Sequence, residues 1–425
     1  MTGTAPPPTA EERLGSLDAF RGFAIAGMVL VNNPGDWSHL YSQLAHAAWH
    51  GWTFTDWIFP FFLFIVGVSM TLSTGRRLAL GDRRAALLRS LARRALVIFL
   101  VGFTLNLIPH FNWGAVRIPG VLQRIALCTL LAAPLVLWCG WRGQVTALLT
   151  LLAGYTLAML AIPVPGPDGV VATGLLQPGR DTGAWLDRAL LSGHLWVQSK
   201  TWDPEGLLST LPAVGTVLFG VLTGHVLAWR ADTAHKTVWM LLAGLALLWL
   251  GAILDVVLMP INKALWTPSY TVLMAGWALL VFGAFFWLMD AAPQARVRSA
   301  AARFFQPLVI YGMNALFIFA LSGFIAKMMG FIKVPVTVPE AVGTAAASAS
   351  QAVAAGAPAA LTTQVTAVAA QATTMSVSLK AWLYAPLKAL PLEPVQASLL
   401  WALLFNAAMF IVAWAMWKKR WFIKA

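Results

Sequence analysis

About ten times along its 425 residues the chain enters an apolar run long enough to cross a bilayer as a helix, for which roughly 20 residues are needed. Bounded by Gly, Pro, charge or aromatic belts, these runs fall near 18–33, 53–74, 93–109, 118–140, 144–163, 206–229, 237–258, 269–289, 304–330 and 398–417. Hydrocarbon offers backbone N–H and C=O groups no water, so such segments must satisfy their own hydrogen bonds, and helices do so. The expected fold class is therefore all-α: a polytopic helical membrane protein with about ten transmembrane helices. Composition agrees, because 59% apolar and 11% charged residues do not suit a soluble domain, where charge runs at about 25%.

The net charge of +13 and pI near 10.3 suggest a nucleic-acid partner only until the cations are sorted by loop. Most of the 29 basic residues fall in alternate connections, among them Arg76, Arg77, Arg83, Arg84, Arg89, Arg93, Arg94, Arg142, Arg230, Lys236, Arg296, Arg298 and Arg303. Arg13 and the tail residues Lys418, Lys419, Arg420 and Lys424 share that side. Cytoplasmic loops collect Lys and Arg, so both termini are assigned to the cytoplasm, and much of the charge reports topology. No nucleic-acid partner is expected. The opening MTGTAPPPTAEER lacks a basic n-region and a small-residue cleavage site, so a cleavable signal peptide is not expected. Cys128 and Cys139 share one apolar stretch, which argues against a disulfide framework or a cysteine-rich metal site.

The domain reading is a cytoplasmic tail over 1–15, a transmembrane core over 16–334, an Ala/Thr-rich low-complexity outer insert over 335–379, and a closing segment over 380–425 with the last helix and a basic tail. A window of hydropathy alone would take the insert for a span. Ala and Thr are a weak membrane signal, however, and a span there would place the basic tail outside. A second long outer loop, about 164–205, runs from PVPGPDG to TWDPEG.

Ionisable groups within spans cost a few kcal/mol each on insertion scales and are functional candidates by default. Asp18 and Arg21 stand i, i+3 at the start of the first span; an interfacial cap with a snorkelling Arg accounts for them equally simply. Asn32, Asn33, His46, Trp49, His50 and Asp56 cluster where the first span ends and the second begins. Thr53 to Asp56 also fits a capping box opening the second span. Gln123 and Arg124 lie within the fourth span, with Arg117 seven residues before Arg124 on the same face. Asp255 and Asn314 complete the set, the latter suited to bonding a neighbouring helix.

The segments SLDAFRGFAIAGMVLVNN, LAHAAWHGWTFTDWIFPFFLFIVGVSM, VRIPGVLQRIA, WDPEG, INKALWTPSY and YGMNALF occur in this order. Together they strongly resemble heparan-α-glucosaminide N-acetyltransferase and its bacterial relatives, over residues 16 to about 320 and again in the closing KKRWFIKA. The resemblance implies transfer of acetyl from cytoplasmic acetyl-CoA to the amine of a glucosamine-type sugar across the membrane. For a bacterial relative that means the inner membrane, with the active site opening to the periplasm, and the relatives suggest a homodimer. The family's catalytic histidine lies in an H-A-x-W motif, here His46 to Trp49; its span-1 asparagine corresponds to Asn32 or Asn33, and the Asp of its D-x-x-F-P motif to Asp56. His50 stands where the lysosomal enzyme has Asn, and that enzyme's separate N-terminal luminal domain has no counterpart in this sequence; both departures bear on the polymer substrate more than on the chemistry.

Amide formation from a thioester needs a proton acceptor and donors for a developing oxyanion. Imidazole suits the first task, so His46 is the expected general base or acyl carrier, oriented by Asp56, with Asn32 or Asn33 donating to the thioester oxygen. Asp18, Arg21, Gln123, Arg124 and Asn314 are expected along the acetyl-CoA path, with Arg21 and Arg124 as anion contacts. Trp49, His50, Arg117, Asp203 and Glu205 are expected near the acceptor sugar, with Arg117 alternatively pairing with Asp203 and Glu205. The rival reading is an amino-sugar permease using the same groups to bind substrate and shuttle protons. No metal is expected in either.

Overall fold

The computed structural model describes residues 14–337, 351 and 374–423. Its helices are α1 (Gly15–Asn32), α2 (Thr55–Ala79), α3 (Arg84–Leu107), α4 (Val121–Trp138), α5 (Trp141–Ala161), α6 (Thr182–Leu191), α7 (Thr210–Ala228), α8 (Thr233–Val257), α9 (Pro268–Phe286, prolonged by a π turn over Trp287–Ala291), α10 (Ala295–Phe304), α11 (Gln306–Met313), α12 (Ala315–Phe331), α13 (Leu379–Lys388) and α14 (Pro394–Lys418). Strands are few: β1 (Val164–Pro165) pairs with β2 (Val171–Ala172), and β3 (Lys333–Thr337) with β4 (Thr374–Ser378), both antiparallel.

Nine of the ten expected spans each fall on one helix and the run at 304–330 on two, and among the described residues seven helices are long and apolar enough to cross a membrane: α2, α4, α5, α7, α8, α9 with its π turn, and α14. The run at 304–330 is not one straight span. It breaks at Asn314, where α11 and α12 meet at a bend of 80°, and counting the bent pair as one crossing gives eight. At the break the Asn314 backbone leaves the helical region (φ −123°, ψ 32°) and its side-chain amide bonds the distant tail rather than a neighbouring helix. α1 and α3 are the remaining two expected spans. Asp18 and Arg21 in the first, and Arg84, Arg89, Arg93 and Arg94 in the second, make them more polar than the rest.

The helices divide by burial. α2, α7 and α9 are largely covered on all sides and α8 is largely bare, presenting Trp239, Leu242, Trp249 and Ile253 outward. A helix apolar all round but covered on one side only is what a lipid-facing position requires. Phe20, Phe61, Phe64 and Phe282 fill the centre between α1, α2 and α9. Backbones approach closely where side chains are absent: a Cβ on Gly22 of α1 would lie 1.7 Å from the Leu308 carbonyl oxygen of α11, and one on Gly312 2.0 Å from that of Asp18. Such contacts hold helices together where lipid removes the hydrophobic drive for association.

The long connections 33–54, 108–120, 162–209 and 258–267 collect at one end of the bundle. The expected loop at 164–205 is partly ordered, holding the β1–β2 ladder and α6, the latter capped by Asp181, whose carboxylate accepts from the Ala184 N–H. The Ala/Thr-rich insert lies mostly outside the described residues, but its two ends pair over five residues from Lys333↔Ser378 to Thr337↔Thr374. The expected N-terminal tail also lies outside them, apart from Leu14 and Gly15.

Candidate active site

Asp56 sits in the first turn of α2 and is fully buried. One carboxylate oxygen, Oδ2, accepts from the Thr53 N–H at 3.0 Å, the Thr53 hydroxyl at 3.2 Å and the Ala47 N–H at 3.2 Å. The other, Oδ1, is 2.6 Å from His46 Nδ1. Half of the expected capping box is present: Oδ2 accepts from the Thr53 N–H, but the N-cap of α2 is Phe54 and makes no side-chain bond, while Oδ1 faces His46. With the Nδ1 proton committed to the carboxylate, the basic nitrogen of His46 is Nε2. The ring itself is about half exposed, so Nε2 can be reached from outside. α9 locks the arrangement from behind, as Tyr270 donates its hydroxyl to the Asp56 carbonyl at 2.7 Å.

Three connections meet around this pair. Gly51 N–H donates to the Ile261 carbonyl at 2.7 Å, and Asn262 Nδ2 lies 3.4 Å from His50 Nδ1. Trp49 donates from Nε1 to the Leu176 carbonyl at 2.7 Å and meets the Trp202 ring edge-on at 5.2 Å between centroids. Tyr155 of α5 donates to the Leu265 carbonyl. Lys263, a residue of the INKALWTPSY segment, has its Nζ against the His46 ring, 3.1 Å from Nε2 and 3.2 Å from Nδ1.

Beside Trp202 lies a second polar knot. Arg117 forks onto Asp203, Nε to Oδ2 at 2.8 Å and Nη2 to Oδ1 at 2.5 Å, and Nη2 also reaches Glu205 Oε2 at 2.5 Å. This is the carboxylate pairing expected of Arg117. Burial disfavours the charged form of Glu205, but the attraction of Arg117, Arg124 and Lys263 outweighs it and holds its carboxyl below the usual range. Asp187 of α6 accepts from the Leu207 N–H at 2.9 Å, and burial pushes its carboxyl up to about 6. Gly206 has no room for a side chain, because a Cβ there would lie 2.1 Å from Asp187 Oδ2.

Arg124 occupies the first turn of α4 at this same end, fully buried. Its Nη2 donates to the Gly206 carbonyl at 2.9 Å and to the Ser209 hydroxyl, and the guanidinium lies 5.2 Å from the Trp266 ring centroid. Its Nε and Nη1, like Gln123 Nε2, have no partner among the described residues. The structure therefore separates two cations expected to act together. Arg21 is at the opposite end, paired to Asp18 at 2.7 Å and donating to Ser69 at 2.9 Å, while α4 enters the bundle beside the loop that carries Glu205. Asn314 is at the Arg21 end, and its amide is engaged by the tail: Nδ2 donates to the Trp421 carbonyl and Oδ1 accepts from the Ile423 N–H, both at 3.0 Å.

The two asparagines differ. Asn33 is buried and donates back to the Val29 carbonyl at 2.8 Å, whereas Asn32 is exposed. Neither is in hydrogen-bond contact with His46. Asp255 accepts from the Ile261 N–H at 2.5 Å and so braces the connection carrying Lys263. Sequence reasoning passed over Lys263, Tyr270 and Lys327, which donates from α12 to the Leu105 carbonyl. Only Lys263 and Tyr270 lay within a quoted motif.

Fold and site together define a polytopic helical protein that gathers an imidazole–carboxylate pair, tryptophans and compensated charges at one end of its bundle. A family model described as heparan-alpha-glucosaminide N-acetyltransferase, catalytic, matches residues 13–253, and the chain belongs to that family. It is 30% identical over 359 residues to the Homo sapiens protein named heparan-alpha-glucosaminide N-acetyltransferase, covering 72% of this chain and 52% of that protein. It is 28% identical over 364 residues to the Mus musculus protein of the same name, covering 73% and 53%. The chain thus spans about half the length of the curated relatives it matches.

Proposed function

We propose that this chain is a transmembrane N-acetyltransferase, moving the acetyl group of cytoplasmic acetyl-CoA to the amine of a glucosamine-type sugar on the periplasmic side of the bacterial inner membrane. In this reading α1 and α3 also cross, giving ten crossings with both termini cytoplasmic and the His46 end outside; the alternation of basic connections supports it. The observation that carries the reading is the 2.6 Å contact between His46 Nδ1 and buried Asp56, which leaves Nε2 basic and accessible.

His46 takes the proton of the attacking amine as the new C–N bond forms and the thioester C–S bond breaks; the sulfur then leaves as the thiol of CoA. Asp56 fixes the tautomer and stabilises the cationic ring, a task that suits a buried carboxylate with three further donors. Of the two asparagines, Asn32 is the one whose amide is not used by its own helix, and it is assigned to the thioester oxygen. Trp49, His50 and Trp202 supply the aromatic wall for a sugar. Arg117, Asp203 and Glu205 brace that wall. Arg21, positioned by Asp18 at 2.7 Å, receives the CoA phosphates at the other end of the bundle, and the distance from there to His46 is left to the pantetheine arm. Arg124 and Gln123, at the His46 end, are assigned to the acetyl end of that arm rather than to its phosphates.

The test is turnover by the purified protein in detergent. It should release CoA from acetyl-CoA when glucosamine is supplied, and yield N-acetylglucosamine in equal amount. Movement of unmodified sugar without consumption of the thioester would instead establish the permease. His46→Ala that acetylates at the wild-type rate would remove the role given to His46.

A further inference from the structure

Lys263 stands on the connection between α8 and α9, and its contact with His46 is more specific than proximity. Nζ is nearly equidistant from the two ring nitrogens, 3.1 Å from Nε2 and 3.2 Å from Nδ1, and 3.9 Å from Asp56 Oδ1. An atom so placed cannot lie along the in-plane lone pair of Nε2, which points away from Nδ1. The lysine therefore accompanies the imidazole without consuming its basic site. We propose that Lys263 is a catalytic residue of the acetyl transfer: its ammonium, held against the His46 ring, donates to the acetyl carbonyl oxygen as that oxygen becomes negative. This rests on the reading of His46 as general base.

Charge balance supports it. The Lys263 ammonium lies against the imidazole and within 3.9 Å of the Asp56 carboxylate, so the buried anion has a second cationic neighbour. The groups facing Lys263 are His46 from the connection before α2, Asp56 of α2, Glu205 and Arg117 from two further connections, and Arg124 of α4. Burial draws the Lys263 pKa below its ordinary value, with Arg124 and Arg117 adding to it, while Asp56 and Glu205 resist. In the reaction, the amine nitrogen bonds to the acetyl carbon while the carbonyl π pair moves to oxygen, where the Nζ–H donates. Nε2 accepts the amine proton. The C=O bond then re-forms, the C–S pair goes to sulfur, and sulfur takes the proton held on Nε2. Lys263 begins and ends the cycle as the ammonium.

A lysine that merely fastened the 258–267 connection would influence thermal stability and leave the pH profile alone. The experiment is therefore kcat/KM against pH for the full-length protein with acetyl-CoA and glucosamine, together with thermal melts, for wild type, K263M, K263R and H46A. K263M should lose about 10²-fold in kcat, the usual cost of one oxyanion donor. Its acid limb should move to higher pH, because the cation 3.1 Å from Nε2 is gone. K263R, which keeps the charge, should retain the wild-type limb. K263M that melts and turns over like wild type with its limb unmoved would overturn the proposal, and so would a shifted limb in K263R. Should K263M not fold, K263Q is neutral and of similar length and carries the same expectation. H46A at the wild-type rate would remove the base assignment itself; an inactive H46A beside an unshifted K263M limb would remove Lys263 alone.

Discussion

The two ends of the bundle are built differently. At the His46 end, long connections are stitched to one another through side chains, and the charges come in compensated groups: His46 with Asp56, Arg117 with Asp203 and Glu205. At the Asp18 end the helices are joined by short turns such as 80–83, 139–140 and 229–232, and the polar contacts join neighbouring helices, turns and the tail: Arg21 with Asp18 and Ser69, the Ser16 N–H with Asp290, His225 with Gln144, and Asn314 with Trp421 and Ile423. Long connections can bring residues distant in sequence to one point and hold them there. Short turns cannot, and at this end they leave Arg76, Arg77, Arg83 and Arg84 exposed. Under the proposed function, one end performs bond chemistry and the other recognises an anion.

Four substitutions probe that contrast, in order of decreasing effect. Asp56→Asn keeps an acceptor for the Thr53 N–H and removes the charge beside His46, so acetyl transfer should fall by about 10²–10⁴-fold with folding preserved; steady-state turnover and a melting curve measure both. Arg117→Met leaves Asp203 and Glu205 buried without their cation and should cost about 3–5 kcal/mol of stability, most of it recovered when Asp203→Asn and Glu205→Gln are added. Thermal denaturation in detergent reads this directly, and an unaffected melting temperature would deny the knot its bracing role. Asp187→Asn addresses pH. The Asp187 carboxyl rises from 3.8 to about 6 on burial, so the folded state binds this proton more tightly than the unfolded one. Stability is then highest at low pH and declines as pH rises from 3.8 through about 6. The asparagine variant should flatten that decline and gain about 1–3 kcal/mol above it, visible as melting temperature against pH. Arg21→Gln, at the other end, should raise KM for acetyl-CoA by about tenfold, the worth of one charge-assisted contact, while leaving kcat and melting temperature nearly unchanged. A fall in kcat instead would blur the distinction between the ends.

Helix positions were legible because apolar runs between polar connections leave the backbone no alternative in lipid. The carboxylate partners of Arg117 were also legible, since a buried guanidinium needs anions and WDPEG offers two. Less was visible wherever a side chain answers to tertiary geometry. Nothing in IYGMNALF marks Asn314 as the point of an 80° bend, and the bonds its side chain makes there reach Trp421 and Ile423 in the distant tail. From the sequence, Arg124 reads as a deep cation and, with Arg21, an anion contact. Its depth along the sequence gave no hint that its first-turn position would place it beside Gly206 and Ser209. Lys263 escaped attention for the opposite reason: a lysine in an outer connection is the most ordinary of residues until folding sets it against His46.

The ladder between β3 and β4 bears on how this molecule tolerates change. Because Lys333–Thr337 and Thr374–Ser378 zip together before the chain continues into α13, α12 and α13 are tethered at a fixed separation whatever number of residues lies between the strands. Closing a longer loop adds only about 0.6 kcal/mol per doubling. The ladder is thus a natural splice point, where reporters or affinity handles can be inserted and where sequence can grow or shrink without the helices registering it.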